Sequence, residues 1–375
     1  MADSVFTLRW AILGAGYISG KFVSDIILDP KTRGVTDVVH KLVAVGSRDA
    51  AKGKEFLAKI TGKDDHPAKI YGSYEEVVKD PNVDAVYIGV PHPGHYDLTT
   101  LCLTNGKHVL CEKPFTVNAK EAEALIQLAK EKNLFLMEAM WTRFLPVADY
   151  ISDLVKGGTL GDIRVLHADL SGDFDIQNLP LTHRILDPKL GGGALLDLGP
   201  YPLVWAIIAM YEHPANNKQH PSAISAAMLK TPLTGVDAHT SFTLNFDQLN
   251  AQAVLTCGIT ISSPNPALVI RLRKGNIIVD APIYRPNVVK VQYLAKEGSD
   301  EVVKEETKTF KNGADEQHGG SGWHWQADEV ARCIRDGKIQ SDKWGWDKTL
   351  LEMKIFDEVR KQGQLVFPEG VEKLV

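Results

Sequence analysis

Leu8-Arg-Trp-Ala-Ile-Leu13, running directly into Gly14-Ala15-Gly16-Tyr17-Ile18-Ser19-Gly20, decides the fold of the amino-terminal part of this chain. A strand-like apolar run meets glycines spaced as a dinucleotide fingerprint, and the residues that follow read as a helix. The glycines permit a tight turn and a close backbone approach to a pyrophosphate, and the free amides at the helix start favour its negative charge. Gly14, Gly16, Tyr17 and Ile18 are therefore candidate cofactor contacts, with Ser19 standing where a third glycine usually falls.

Working outward, further strand-like runs at residues 41–46, 85–90 and 108–111 alternate with amphipathic stretches at 21–28 and 50–60. Asn118 is a good cap for a helix over 120–132, and residues 134–138 read as a last strand. Such alternation predicts βαβ units and a parallel sheet, ending a first domain at residues 1–140. Beyond it, residues 163–171 and 223–302 alternate apolar and polar with frequent Gly and Pro, which favours a mostly antiparallel sheet open on one face. Helical patterns return at 201–211, 325–335 and 348–361, and residues 312–322 read as a loop near a site. The expected architecture is an α/β Rossmann domain plus an α+β domain with an open-faced antiparallel sheet over residues 141–375, its C-terminal helix a segment able to pack back on the first domain.

Composition narrows the partners. The 375 residues are 44% hydrophobic and 24% charged, ordinary values that suit two globular domains and exclude a disordered or repeat chain. A net charge of −5 offers no basic field, so neither nucleic acid nor an anionic membrane is an expected partner. With no apolar leader and no apolar run read as long enough to span a bilayer, the expected location is cytoplasmic. Cys102, Cys111, Cys257 and Cys333 lack ligand spacing and read as reduced, packed thiols; no metal is expected.

At the end of the second strand, Gly46-Ser47-Arg48 stands where an NAD enzyme carries an acid for the ribose 2′-hydroxyl. A guanidinium, a neighbouring hydroxyl and Lys52 one turn further on suit a 2′-phosphate, hence NADP. The long spacing from Gly16 is ascribed to a polar insertion over residues 29–40. Pro91, His92 and His95 lie in Val90-Pro91-His92-Pro93-Gly94-His95 at a strand's carboxyl edge, as cofactor contacts or as caps. Glu112-Lys113-Pro114 ends the next strand. Lys113 offers a compact cation for a substrate hydroxyl and Glu112 a partner for the nicotinamide ribose, although the same residues suit a surface turn.

Asp197 and Tyr201, in Gly191-Gly192-Gly193-Ala194-Leu195-Leu196-Asp197-Leu198-Gly199-Pro200-Tyr201, are four apart and share a face if Pro200 opens a helix. A tyrosine, ordinarily a weak base at a pKa of about 10, becomes a credible general base beside a lysine ammonium. A capping Asp and a core Tyr are the plain alternative. Trp141 and Phe144, in Glu138-Ala139-Met140-Trp141-Thr142-Arg143-Phe144, are candidate walls against the C–H faces of a sugar, or interdomain packing.

Together these motifs resemble the Gfo/Idh/MocA family, named for glucose-fructose oxidoreductase and inositol dehydrogenase, in order and spacing over almost the whole chain. Trp141-Thr142-Arg143-Phe144, and Tyr201 where inositol dehydrogenases carry His, resemble the branch of dimeric dihydrodiol dehydrogenases and fungal NADP-dependent D-xylose dehydrogenases. The resemblance implies Lys113 and Tyr201 as catalytic groups with Asp197 between them, and a homodimer built on the open sheet face. It implies that Arg143, His183 and Arg184 lie along the cofactor or substrate. The expected reaction is oxidation of a pyranose C1 hydroxyl by NADP, D-xylose to D-xylonolactone. A wide apolar pocket around Trp141, Phe144 and Phe174 would instead suit a trans-dihydrodiol or a dicarbonyl, and a non-catalytic NADP-sensing regulator is the rival from another class.

Overall fold

The computed structural model describes residues 5–63, 65–311 and 320–375. They form two compact units, Met1–Phe144 with Lys311–Leu350 and Lys373–Val375, and Leu145–Phe310 with Leu351–Glu372.

The first unit alternates β1 (Phe6–Leu13), α1 (Tyr17–Ile26), β2 (Val38–Gly46), α2 (Ala50–Thr61), β3 (Lys69–Tyr71), α3 (Tyr74–Lys79), β4 (Ala85–Ile88), α4 (His95–Thr104), β5 (His108–Glu112), α5 (Ala119–Lys132) and β6 (Leu136–Ala139). The sheet order is β3-β2-β1-β4-β5-β6, and every neighbouring pair is parallel. Every residue of β4 and of β6 is buried, as strands covered on both faces require. Strand order reverses between β1 and β4, so the crevice at their carboxyl ends is where such a sheet binds ligands. Asn118 caps α5 as its sequence position predicts, accepting the Glu121 N–H at 2.9 Å. The segment read as a polar insertion is a 3₁₀ turn at Pro30–Arg33 followed by the start of β2, since Val38 already pairs with Phe6.

The second unit contains α6 (Pro146–Lys156), β7 (Ile163–Ser171), α7 (Ala194–Leu198), α8 (Pro200–Ala206), β8 (Ala223–Lys230), β9 (Asp237–Phe246), β10 (Ala251–Gly258), β11 (Leu268–Leu272), β12 (Gly275–Val279), β13 (Val288–Leu294) and β14 (Val302–Thr309). Its eight-stranded sheet runs β14-β13-β12-β11-β7-β10-β9-β8, antiparallel except where β7 meets β10. Helices α7 and α8 pack on β7, β9 and β10. The opposite face exposes residues such as His167, Ser241, Gln252 and Arg271, giving the alternation of a sheet covered on one side. The stretch Pro188–Tyr211, running from a 3₁₀ turn through α7 and α8, is by length and composition long and apolar enough to cross a membrane, contrary to the sequence reading. Its most apolar part is 94% buried inside the fold, which marks it as core.

Two helices follow, α9 (Trp323–Arg335) and α10 (Trp346–Gln362). The first segment of the first unit ends at Phe144, and residues 311–350, which contain α9, belong to the same unit. Helix α9 packs on α1, β1 and β2, and Arg332 pairs with Asp37 through two bonds of 2.9 Å. Helix α10 divides, its residues to Leu350 in the first unit and those from Leu351 in the second. Of the expected loop at 312–322, residues 312–319 lie outside the described residues.

Candidate active site

The dinucleotide cradle is built from absent side chains. Gly14 has φ +99°, and a Cβ there would stand 2.9 Å from both the Gly89 carbonyl oxygen and Val90 Cγ1. Ser19 takes the third position of the fingerprint because the strand end gives way in its place. A Cβ on Gly89 would collide with the Ser19 hydroxyl, which donates to the Gly89 carbonyl at 3.5 Å. Close helix-to-strand packing is thus preserved with the missing side chain moved from helix to strand. A cavity of about 260 Å³ opens here, lined by Gly14, Gly16, Ser47, Arg48, Lys52 and Pro91 among others. Tyr17, the first residue of α1, leaves its ring 81% exposed, and Ile18 is half-buried.

Ser47 is buried while Arg48 and Lys52 are exposed cations on the same cavity. Asp49 also lines it, an acid that the sequence reading passed over. Its carboxylate accepts the Ala51 N–H at 2.9 Å as the N-cap of α2, so the side chain is engaged by the helix. Tyr74 completes the wall, its phenol pKa raised by burial and drawn down by nearby Arg48. The bare backbone at Gly14 and Gly16 fits a dinucleotide pyrophosphate, and the Ser47-Arg48-Lys52 edge fits a 2′-phosphate.

Lys113 leaves β5 at the same carboxyl edge, followed by a cis peptide to Pro114, and its loop is braced on two sides. Glu138 of β6 accepts the Phe115 N–H at 3.0 Å while its other oxygen takes Trp344 Nε1 at 2.9 Å and Thr349 Oγ1 at 2.8 Å. The ring nitrogens of His95 lie 2.9 Å from the carbonyl oxygens of Pro114 and Val90. His95 is fully buried with its ring nitrogens beside these two carbonyl oxygens, and burial pushes its pKa down, so it braces the loop that carries Lys113. Glu112 is buried too, accepting the Tyr87 hydroxyl at 2.6 Å and the Lys113 N–H at 3.2 Å. His92, half-buried and 5.9 Å from the His95 ring, remains at the crevice.

Ala139 of β6 pairs with Glu112 of β5, so Trp141 follows at the strand end neighbouring Lys113. Trp141–Phe144 form a 3₁₀ turn in which Trp141, Arg143 and Phe144 are all buried. One face of the Trp141 indole is stacked on Trp323 of α9, centroids 4.1 Å apart and planes 9° from parallel. The open sugar wall read from sequence is therefore narrowed, since a second indole occupies one side.

In the second unit, Gly193 has φ +115°, and a Cβ there would strike the Asp237 carboxylate. Asp237 Oδ2 accepts the Leu195 N–H at 2.7 Å and the Thr240 hydroxyl at 2.7 Å, anchoring the start of α7. Burial pushes its pKa up to about 6. Gly199 keeps right-handed helical angles between α7 and α8, so Asp197 and Tyr201 lie four residues apart on one continuous helical face, as expected. Asp197 is buried and paired with Arg184 at 2.9 Å, while Tyr201 is buried with its ring 5.6 Å from Tyr284. Phe174 packs against the apolar cluster of Ile185, Leu186 and Ile259, and His183 Nδ1 accepts the Ile185 N–H at 3.4 Å. Among the described residues no group of three or more His, Cys, Asp or Glu is placed to hold a metal ion.

The sequence reading missed Gly89, Glu138, Asp237 and Trp323. Each acts through partners distant in the chain, and only Gly89, one residue past a strand at the fingerprint edge, carried a local signal.

Residues 8–140 match the oxidoreductase family with an NAD-binding Rossmann fold, and residues 149–278 match the GFO/IDH/MocA C-terminal domain. Among curated relatives, D-xylose 1-dehydrogenase (NADP(+)) of Hypocrea jecorina is 38% identical, covering 97% of this chain and 94% of that protein. The trans-1,2-dihydrobenzene-1,2-diol dehydrogenase of Sus scrofa is 37% identical, covering 96% and 98%. The fold is shared with the crystal structure of aldose-aldose oxidoreductase from Caulobacter crescentus, at a TM-score of 0.76 and 22% identity over 96% of this chain and 98% of that one. With both halves matched in order and relatives aligned nearly end to end, the chain belongs to the Gfo/Idh/MocA family of oxidoreductases.

Proposed function

We propose that the protein is an NADP-dependent sugar dehydrogenase that oxidises the C1 hydroxyl of a pyranose, D-xylose foremost, to the corresponding lactone. The observation that carries this reading is the 38% identity with a D-xylose 1-dehydrogenase over 97% of the chain. The cradle supports the cofactor choice, since Arg48 and Lys52 supply positive charge where an NAD site carries an acid.

Bound NADP⁺ supplies the hydride acceptor. The backbone at Gly14, Gly16, Tyr17 and Ile18 would hold the pyrophosphate, and Ser47, Arg48 and Lys52 would take the 2′-phosphate. Pro91, His92 and Arg143 border the remainder of the dinucleotide. Lys113 hydrogen-bonds the reacting hydroxyl and stabilises negative charge on its oxygen. Tyr201 would take the hydroxyl proton as the C1 carbonyl forms. Asp197 orients this pair, and Trp141 and Phe144 limit the space open to the sugar ring.

A second reading, oxidation of an aromatic trans-dihydrodiol or reduction of a dicarbonyl by the same residues, is favoured by the stacked Trp141 and Trp323 and by the 37% identity with a dihydrodiol dehydrogenase. A cytoplasmic location is part of this reading, and four free, buried cysteines are in keeping with it. It is assigned as a homodimer through the open sheet face of the second unit.

Purified protein is assayed with NADP⁺ or NAD⁺ against D-xylose, D-glucose, L-arabinose and an aromatic trans-dihydrodiol. Turnover of xylose with NADP⁺, reduced on the order of 10²-fold or more in Tyr201→Phe, supports the reading. Turnover of the diol alone moves it to the second reading, and tight NADP binding with no turnover moves it to a regulator.

A further inference from the structure

Asp25, near the carboxyl end of the cofactor helix α1, is buried and takes three consecutive backbone donors from the start of α9. Ser321 N–H lies 2.8 and 3.1 Å from its two oxygens, Gly322 N–H 2.8 Å and Trp323 N–H 2.7 Å from Oδ2. His324 Nδ1 stands 3.4 Å from the same oxygen. Gly322 reaches this arrangement with φ +108°, a conformation that side chains disfavour. The next side chain is the Trp323 indole, parallel to Trp141 at 4.1 Å. Trp141 in turn follows the β6 residue paired with Glu112, whose neighbour is Lys113.

A continuous set of contacts therefore runs from the helix that carries the dinucleotide fingerprint to an indole pair at the strand ends beside Lys113. Among the described residues the buried Trp323 indole N–H has no hydrogen-bond partner. A residue kept only for packing would be better served by Phe, which buries no unsatisfied donor. We propose that Trp323 is a specificity-determining residue of the oxidoreductase reaction and Asp25 its positioning residue: the Asp25-capped turn holds Trp323 flat behind Trp141, and that stack sets the tilt of the wall a substrate ring meets. The inference rests on the dehydrogenase reading above. A flat aromatic ring makes its best contact with an indole fixed at one tilt, whereas a puckered pyranose tolerates a looser wall. Removing the backing indole therefore penalises an aromatic trans-dihydrodiol more than a sugar.

The test measures kcat and KM for D-xylose and for an aromatic trans-dihydrodiol in wild type, Trp323→Leu, Trp323→Phe and Asp25→Asn, with thermal midpoint and NADP⁺ affinity alongside. In Trp323→Leu the diol-to-xylose ratio of kcat/KM should fall about tenfold, mainly through KM for the diol. NADP⁺ affinity should stay within about twofold. Trp323→Phe should recover most of the ratio, and Asp25→Asn should move it in the same direction by less. An unchanged ratio, or equal losses on both substrates tracking a lower thermal midpoint, overturns the proposal and leaves Trp323 a structural residue. Wild type silent on both substrates is a different signature: the dehydrogenase reading then fails and takes this inference with it.

Discussion

The Tyr87 hydroxyl donates to Glu112 Oε1 at 2.6 Å, while the other oxygen of Glu112 accepts the Lys113 N–H. Burial is the largest influence on Glu112 and pushes its pKa from the ordinary 4.5 up to about 7, against the opposing pull of Tyr87 and Lys113. An acid with a raised folded pKa binds more protons folded than unfolded, so the folded state loses stability as pH climbs from about 4.5 to about 7. Glu112→Gln removes that titration while keeping an acceptor for Tyr87. Its stability relative to wild type should improve between pH 5 and pH 7.5 by up to about 3 kcal/mol. Denaturant unfolding at the two pH values measures this, and parallel curves would contradict it.

Replacing Arg48 by Ala should weaken NADP⁺ about 10- to 100-fold, the value of one or two charge-assisted hydrogen bonds to a phosphate. NAD⁺, which has no 2′-phosphate, should be little affected. Titration calorimetry with both dinucleotides reads the difference, and equal losses for the two would remove Arg48 from the 2′-phosphate site.

Gly89→Ala places a methyl against the Ser19 hydroxyl and 2.9 Å from Tyr87 Cε1. It should cost about 1–3 kcal/mol of stability and weaken cofactor binding as α1 is pushed off the strand edge. Adding Ser19→Ala removes one of the two collisions and should restore part of the loss. A double variant no better than Gly89→Ala would show that the two positions do not share a contact.

Asp237→Ala leaves the Leu195 N–H and the Thr240 hydroxyl without their acceptor and should destabilise the chain by about 1–3 kcal/mol. Because Asp237 anchors the helix that carries Asp197 and Tyr201, kcat should fall as well. Asp237→Asn keeps an acceptor of the same shape and should stay within about 1 kcal/mol of wild type. Thermal unfolding and steady-state rates on the pair check this, and an Ala variant with wild-type kcat would show that the anchor does not govern the helix.

Much of this arrangement was legible locally. The Gly14 to Ser19 turn, the Asn118 cap, the four-residue spacing of Asp197 and Tyr201 and the basic step at Ser47-Arg48 all rest on interactions within one turn or one strand end. The buried hydrogen bonds of His95 and Glu112 were not legible, for the complementary reason. Both have side chains suited to a cofactor, and whether such a side chain faces a crevice or is spent on a neighbouring strand depends on residues about twenty positions away.

The sequence by itself determined the alternation that builds a parallel sheet, the glycine turn that clears space for a pyrophosphate, and the order of motifs that places the chain in its family, because backbone sterics and hydrophobic period act over a few residues. Only the tertiary structure decided that α9 belongs to the first unit, that Trp323 backs Trp141, that Gly89 makes room for Ser19 and that Asp237 holds the start of α7. Each of these depends on a hydrogen bond or a close contact between segments from 42 to nearly 300 residues apart, a separation over which no local pattern reports a partner.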